Sequence, residues 1–147
     1  MVLHLGSGDR VIPAELDNRG YARQLCVDFS PKLVKTMTER HKSRPGIVWE
    51  EVDVRDMGNR IAEGSVDIAF DKGTMDVMIH GSPWNPPAEV KDNTARYMSE
   101  VHRMLKADGV FLYVTFRQPH FMRPLLDREG LWVALDMVTL RSEGSFD

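Results

Sequence analysis

Carboxylates and glycines recur in this chain just after apolar runs, where side chains can reach a shared ligand. Gly6, Ser7 and Gly8 follow the run "VLHL", Asp28 follows "QLCV", Asp53 to Asp56 follow "GIVWEEV", and Asp71 to Asp76 follow "SVDIAF". A glycine turn lets backbone approach a ligand closely, and a carboxylate 20 residues beyond Gly8, here Asp28, has the separation of an acid that accepts from a ribose diol. The dinucleotide pattern G-x-G-x-x-G fails, because Val11 occupies the third glycine position and Asp9 would set a negative charge beside a pyrophosphate. No G-x-x-x-x-G-K-[ST] stretch occurs, so a triphosphate cradle is absent as well. A nucleoside cofactor without phosphates fits these residues better.

The elements that must position them alternate between strand and helix. Residues 2–6, 23–29, 46–54, 65–71, 109–116 and 132–140 are rich in Val, Ile, Leu and aromatics and read as six strands. Between the second and third, Ser30 can cap and Pro31 can start a helix whose stripe is Leu33, Val34 and Met37, ending near Pro45 and Gly46. Val90, Thr94, Tyr97, Met98, Val101, Met104 and Leu105 recur at helical spacing and predict a helix over 88–108, stopped by Gly109. Parallel neighbours need crossover connections, so this alternation predicts an α/β fold: a Rossmann-like, doubly wound, mostly parallel sheet with strand order 3-2-1-4-5-6 and helices on both faces. Ligands of such sheets bind outside the carboxyl ends of the strands.

Composition sets the outer bounds. The 147 residues are 42% hydrophobic and 28% charged, which suits one compact domain with an ordinary core. A formal net charge of −3 gives no basic field for nucleic acid or anionic lipid, although it suits a basic protein acceptor. No run approaches the roughly 18 apolar residues of a membrane span. The single cysteine, Cys26, lies in "QLCVD" and reads as a reduced core thiol, which points to an intracellular compartment; the expected location is the cytoplasm. His4, His41, His80, His102 and His120 show no metal-ligand spacing, so no metal is expected.

The stretches "VLHLGSGD", "GYARQLCVDFS", "WEEVDVRDM", "SVDIAFDKGTMD" and "SEVHRMLKADGVFLYVTFRQPHF" resemble the class I methyltransferases that use S-adenosylmethionine. The resemblance is nearer to the elongation factor 1-alpha lysine methyltransferases and the methyltransferase region fused to an endothelin-converting enzyme, with "DKGTMD" as the most family-specific stretch. It implies that Gly6, Ser7 and Gly8 admit the methionine part of the cofactor and that Asp28 accepts from both ribose hydroxyls, with Phe29 at the adenine edge. It further implies that Asp53 accepts from the adenine amino group, that the Val54 N–H donates to a ring nitrogen, and that Lys72 lies in the cofactor wall.

Asp71 is the candidate catalytic residue, placed to hold an amine or steady a sulfonium. The residues alone leave other readings open: a helix cap for Asp28, a solvated loop acid for Asp53, a surface ion pair for Lys72 and a turn cap for Asp71. The resemblance implies S-adenosylmethionine-dependent methyl transfer to a protein lysine, on an elongation factor 1-alpha-like substrate. A small-molecule methyltransferase and a non-catalytic interaction module are the alternatives. Measured against that family, the chain is expected to be a single methyltransferase domain over 1–147, truncated at both ends. It would lack an amino-terminal cofactor-covering segment and a last strand, leaving an open sheet edge through which a homodimer could form.

Overall fold

The computed structural model describes residues 1–140 apart from Asn59 and Glu129. Five strands form one parallel sheet: β1 (Val2–Leu5), β2 (Gln24–Asp28), β3 (Ile47–Glu51), β4 (Val66–Lys72) and β5 (Leu105–Val114). Their order is β3-β2-β1-β4-β5, the order expected for these five. Five helices connect or follow them: α1 (Ile12–Asn18), α2 (Pro31–Arg40), α3 (Thr74–Met78), α4 (Ala88–Met104) and α5 (Pro119–Leu126).

Two buried clusters, one on each face, hold this sheet. Leu3, Leu5, Val27 and Ala69 pack with Tyr97, Met98 and Val101 of α4, whereas Cys26, Ile47 and Trp49 pack with Met37 of α2. Because side chains alternate across a strand, Leu25 and Val27 serve the first face while Gln24 and Cys26 serve the second. The Ser30 hydroxyl accepts from Leu33 N at 3.4 Å with Pro31 in the first turn, so α2 starts where its sequence predicts. On the second face His4 is buried, its Nε2 2.7 Å from Gln24 Oε1, while Gln24 Nε2 donates to the Pro13 carbonyl at 2.8 Å. That pair ties α1 to the sheet with no polar atom of Gln24 unpaired.

Three expectations fail. No strand forms over 132–140, where Trp132 stacks on Phe111 with centroids 5.8 Å apart and donates to the Leu126 carbonyl at 2.7 Å. Beyond it Val133, Met137, Val138 and Leu140 are exposed. Strand composition becomes a strand only with a hydrogen-bonded neighbour, and this segment pairs with none among the described residues. The long helix ends at Met104 rather than near Gly109, because Leu105 turns extended (φ −70°, ψ 143°) and pairs with Val66 at the start of β5. The third strand stops at Glu51, so Asp53 and Val54 lie in the loop after it. Helices α1, α3 and α5 are short and escaped the periodicity reading.

Candidate functional site

Every candidate residue lies at the carboxyl end of the sheet. Gly6 and Gly8 have φ of +62° and +60°, a conformation that glycine adopts without a Cβ penalty. Gly6 also has no room for a side chain: a Cβ there would sit 2.1 Å from Thr74 Oγ1. The Thr74 hydroxyl donates to the Leu5 carbonyl at 2.7 Å, so the "DKGTMD" turn after β4 is seated directly on the glycine turn after β1.

Asp28 closes the same turn from the other side. Its two carboxylate oxygens accept from Gly8 N at 3.1 Å and Ser30 N at 3.0 Å. The glycine turn, the end of β2 and the start of α2 therefore meet at one largely buried carboxylate. The next residue, Phe29, holds its ring 80% exposed beside that carboxylate, which makes it an accessible aromatic face. Ser7 is buried and its hydroxyl has no hydrogen-bond partner among the described residues. It lies near Cys26, whose thiol is pushed up to about 12 by burial.

After β3, Asp53 pairs with Arg55, whose Nη2 approaches at 2.7 Å. Hydrogen bonds from that guanidinium hold the Asp53 carboxyl below its ordinary range. Arg55 Nη1 also donates to Asn93 of α4 at 3.1 Å, which fixes the loop against the helix. Among the described residues the Val54 N–H makes no hydrogen bond, although its side chain is buried. Lys72, the last residue of β4, is exposed.

Asp71 is fully buried. One oxygen accepts from Thr74 N at 2.7 Å; the other accepts from Met75 N at 3.0 Å and Tyr97 Oη at 2.9 Å. Burial pushes this carboxyl up, opposed by the three donors. The bonds fill the capping role that the sequence left open, and they place Asp71 behind Thr74 rather than in an open cleft. Burial and the adjacent carboxylate raise the Tyr97 phenol well above its ordinary value, so it remains a donor.

Tyr97 lies outside the candidate residues of the sequence, and Asp76 is among its carboxylates without an assigned role. Tyr97 belongs to the apolar stripe of α4, and nothing in a periodic pattern marks a phenol that reaches 26 residues back. Asp76, the last residue of "DKGTMD", accepts from Tyr113 Oη at 2.6 Å, Thr115 Oγ1 at 2.8 Å and Arg117 Nε at 3.1 Å. It pins α3 to the end of β5. An apolar cleft of about 240 Å³ opens beyond that link, lined by Ile79, Phe116, Arg117, Phe121 and Met122 among others. His120 does not line it, although the ring centroids of His120 and Phe121 lie 3.9 Å apart, with Trp84 against Phe121 at 4.9 Å.

A family model described as a methyltransferase domain matches residues 3–113. EEF1A lysine methyltransferase 4 of Mus musculus is 36% identical over 122 residues, which cover 82% of this chain and 47% of the mouse protein. Its Bos taurus counterpart is 33% identical over the same shares, so the chain spans about half the length of these relatives. Among solved structures, a TehB-like SAM-dependent methyltransferase from Corynebacterium glutamicum aligns with a TM-score of 0.59 at 19% identity, covering 86% of this chain and 62% of that one. Geranyl diphosphate C-methyltransferase from Streptomyces coelicolor, in a complex that includes S-adenosyl-L-homocysteine, aligns with a TM-score of 0.60 at 15% identity, covering 76% and 37%. At these identities the structural likeness is one of fold.

Proposed function

The chain belongs to the methyltransferase-domain family, and from that premise we propose that it binds S-adenosylmethionine at the carboxyl ends of β1 to β4 and methylates a lysine of a protein. The observation that carries the reading is the junction at Asp28, where one carboxylate fastens the glycine turn to the end of β2. The residues fit the cofactor. Gly6 and Gly8 carry no side chain in the turn, and among the described residues the buried Ser7 hydroxyl is unpaired and the Val54 N–H, beside Asp53, makes no hydrogen bond.

Asp28 accepts from the ribose diol while Phe29 offers its exposed face to the adenine edge. Asp53, both of whose oxygens already accept from Arg55, takes the adenine amino group as a further donor, and the Val54 N–H donates to a ring nitrogen. Lys72 flanks the amino-acid end. When bound, the cofactor supplies a methyl group already activated by its sulfonium. The remaining work is alignment and exclusion of water. In this scheme Asp71 is a positioning residue: it caps α3 and holds Thr74 against the glycine turn, which fixes the distance between the two turns.

The acceptor is a basic protein tail. The relatives named as EEF1A lysine methyltransferases and the net charge of −3 support this class, with an elongation factor 1-alpha-like lysine as the first candidate. No helix among the described residues is long and apolar enough to cross a membrane, and we place the protein in the cytoplasm with its acceptor. Pairing of two copies along the outer edge of β5 is the proposed route to a homodimer. Calorimetric titration with S-adenosylmethionine and S-adenosylhomocysteine, followed by mass spectrometry of purified elongation factor 1-alpha incubated with the protein and S-adenosylmethionine, tests the reading. Micromolar binding and methyl increments on lysine support it. Binding with transfer only to small molecules would move the acceptor class, and no binding of either compound would sink the proposal.

A further inference from the structure

We propose that Arg10, in the turn after the glycine loop, receives the α-carboxylate at the amino-acid end of the cofactor. The inference rests on the S-adenosylmethionine reading above and adds a ligand contact to it. In this sheet the winding reverses between β1 and β4: the chain leaves β1 for α1, which Gln24 ties to the Cys26 face through the Pro13 carbonyl, and leaves β4 for α3 and α4, which serve the Tyr97 face. Such a reversal opens a crevice between the two strand ends. Beside the β1 turn a small void of about 10 Å³, which also reaches under α1 at Pro13, is lined by Gly6, Ser7, Arg10, Phe70 and Lys72.

Arg10 spans that crevice. Its Nη2 lies 3.8 Å from the place a Cβ would take on Gly73, so a guanidinium rooted beside the β1 turn reaches the β4 turn. Arg44, Arg55, Arg103 and Arg117 each hold a carboxylate, whereas Arg10 makes no ion pair or side-chain hydrogen bond among the described residues. It is nevertheless half-buried. Of the residues that line that small void, Arg10 and Lys72 are cations and none is a carboxylate.

The ligand's own polarity completes the argument. With the ribose at Asp28 and the adenine at Asp53, the nucleoside lies over β2 and β3, and the amino-acid tail must run toward β1 and β4. The carboxylate of that tail is the only anionic group of S-adenosylmethionine. A planar guanidinium can meet it with two parallel N–H donors, which the ammonium of Lys72 cannot do.

The test is a set of calorimetric titrations of the full chain and its Arg10→Gln and Arg10→Lys variants. The ligands are S-adenosylmethionine, decarboxylated S-adenosylmethionine and 5′-methylthioadenosine, which lacks the amino-acid tail. The parent should prefer S-adenosylmethionine to the decarboxylated form by roughly tenfold to a hundredfold, the range of a charge-assisted contact. Arg10→Gln should remove that preference while leaving the other two ligands within about twofold, and Arg10→Lys should restore part of it. Three results would overturn the assignment: no preference in the parent, a preference that survives Arg10→Gln, or an equal loss for all three ligands, which signals a damaged turn. If the parent binds none of the three ligands, the cofactor reading itself fails and this contact with it; if it binds 5′-methylthioadenosine but shows no preference, only the Arg10 assignment fails.

Discussion

Replacing Asp28 with alanine removes one carboxylate that serves both the fold and the proposed ligand. In the protein alone it accepts from Gly8 N at 3.1 Å and Ser30 N at 3.0 Å, and the variant leaves both donors without that partner. At this largely buried place each loss costs about 1 kcal/mol, so the fold should weaken by about 2 kcal/mol. In the complex the variant also loses the charged acceptor of the ribose diol, worth about 1.5 to 3 kcal/mol, or roughly 10- to 150-fold in Kd. The two effects separate by assay: urea denaturation reads the first, and calorimetric titration with S-adenosylmethionine under native conditions reads the second. Asp28→Asn sharpens the comparison. It keeps the shape and one acceptor oxygen but turns an N–H pair toward donors, so it should recover part of the stability and little of the affinity. A variant that is destabilised yet binds S-adenosylmethionine as tightly as the parent would show that Asp28 is only a structural clasp. The ribose assignment would then be wrong.

Other substitutions test the remaining joints. Gly6→Ala places a Cβ 2.1 Å from Thr74 Oγ1 at a φ of +62°, whereas Gly8→Ala at +60° meets nothing within 4 Å. Thermal denaturation should show about 1 kcal/mol lost for Gly8→Ala and at least twice that for Gly6→Ala; equal losses would contradict the seating of Thr74 on the turn. Burial raises the Asp71 carboxyl in the fold, so the stability linked to its proton is fully present below the unfolded value and is lost as pH rises through the raised folded value. Urea midpoints between about pH 3.5 and 6 should therefore show Asp71→Asn gaining on the parent as pH rises, and the opposite slope would refute the burial argument. The Cys26 thiol, buried and pushed up to about 12, should resist alkylation at about pH 8 in the native protein and react once urea unfolds it. Rapid native labelling would place Cys26 outside the core.

Much of this architecture was legible without coordinates because it depends on local chemistry repeated along the chain. The apolar runs at 2–6, 23–29 and 65–71 are each flanked by turn residues, and all became neighbouring parallel strands. Ser30 and Pro31 started α2 because capping needs only residues within one turn. The same kind of local evidence misled at 132–140, where the composition suits a strand but pairing requires a neighbour that no sequence window contains. It misled also at Leu105, whose place in the stripe of α4 was outweighed by its pairing with Val66.

The site divides in the same way. Residue type and spacing alone brought Gly6, Gly8, Asp28, Asp53 and Asp71 to the carboxyl edge of the sheet, since each follows a strand and parallel strands share one direction. Only the tertiary structure decided what each carboxylate does there. Asp28 clasps the glycine turn, Asp53 is held by Arg55, and Asp71 is enclosed by two amides and the Tyr97 phenol. A carboxylate's role depends on which donors and how much solvent surround it, and those are set by residues from distant parts of the chain that meet only when the sheet and α4 pack together.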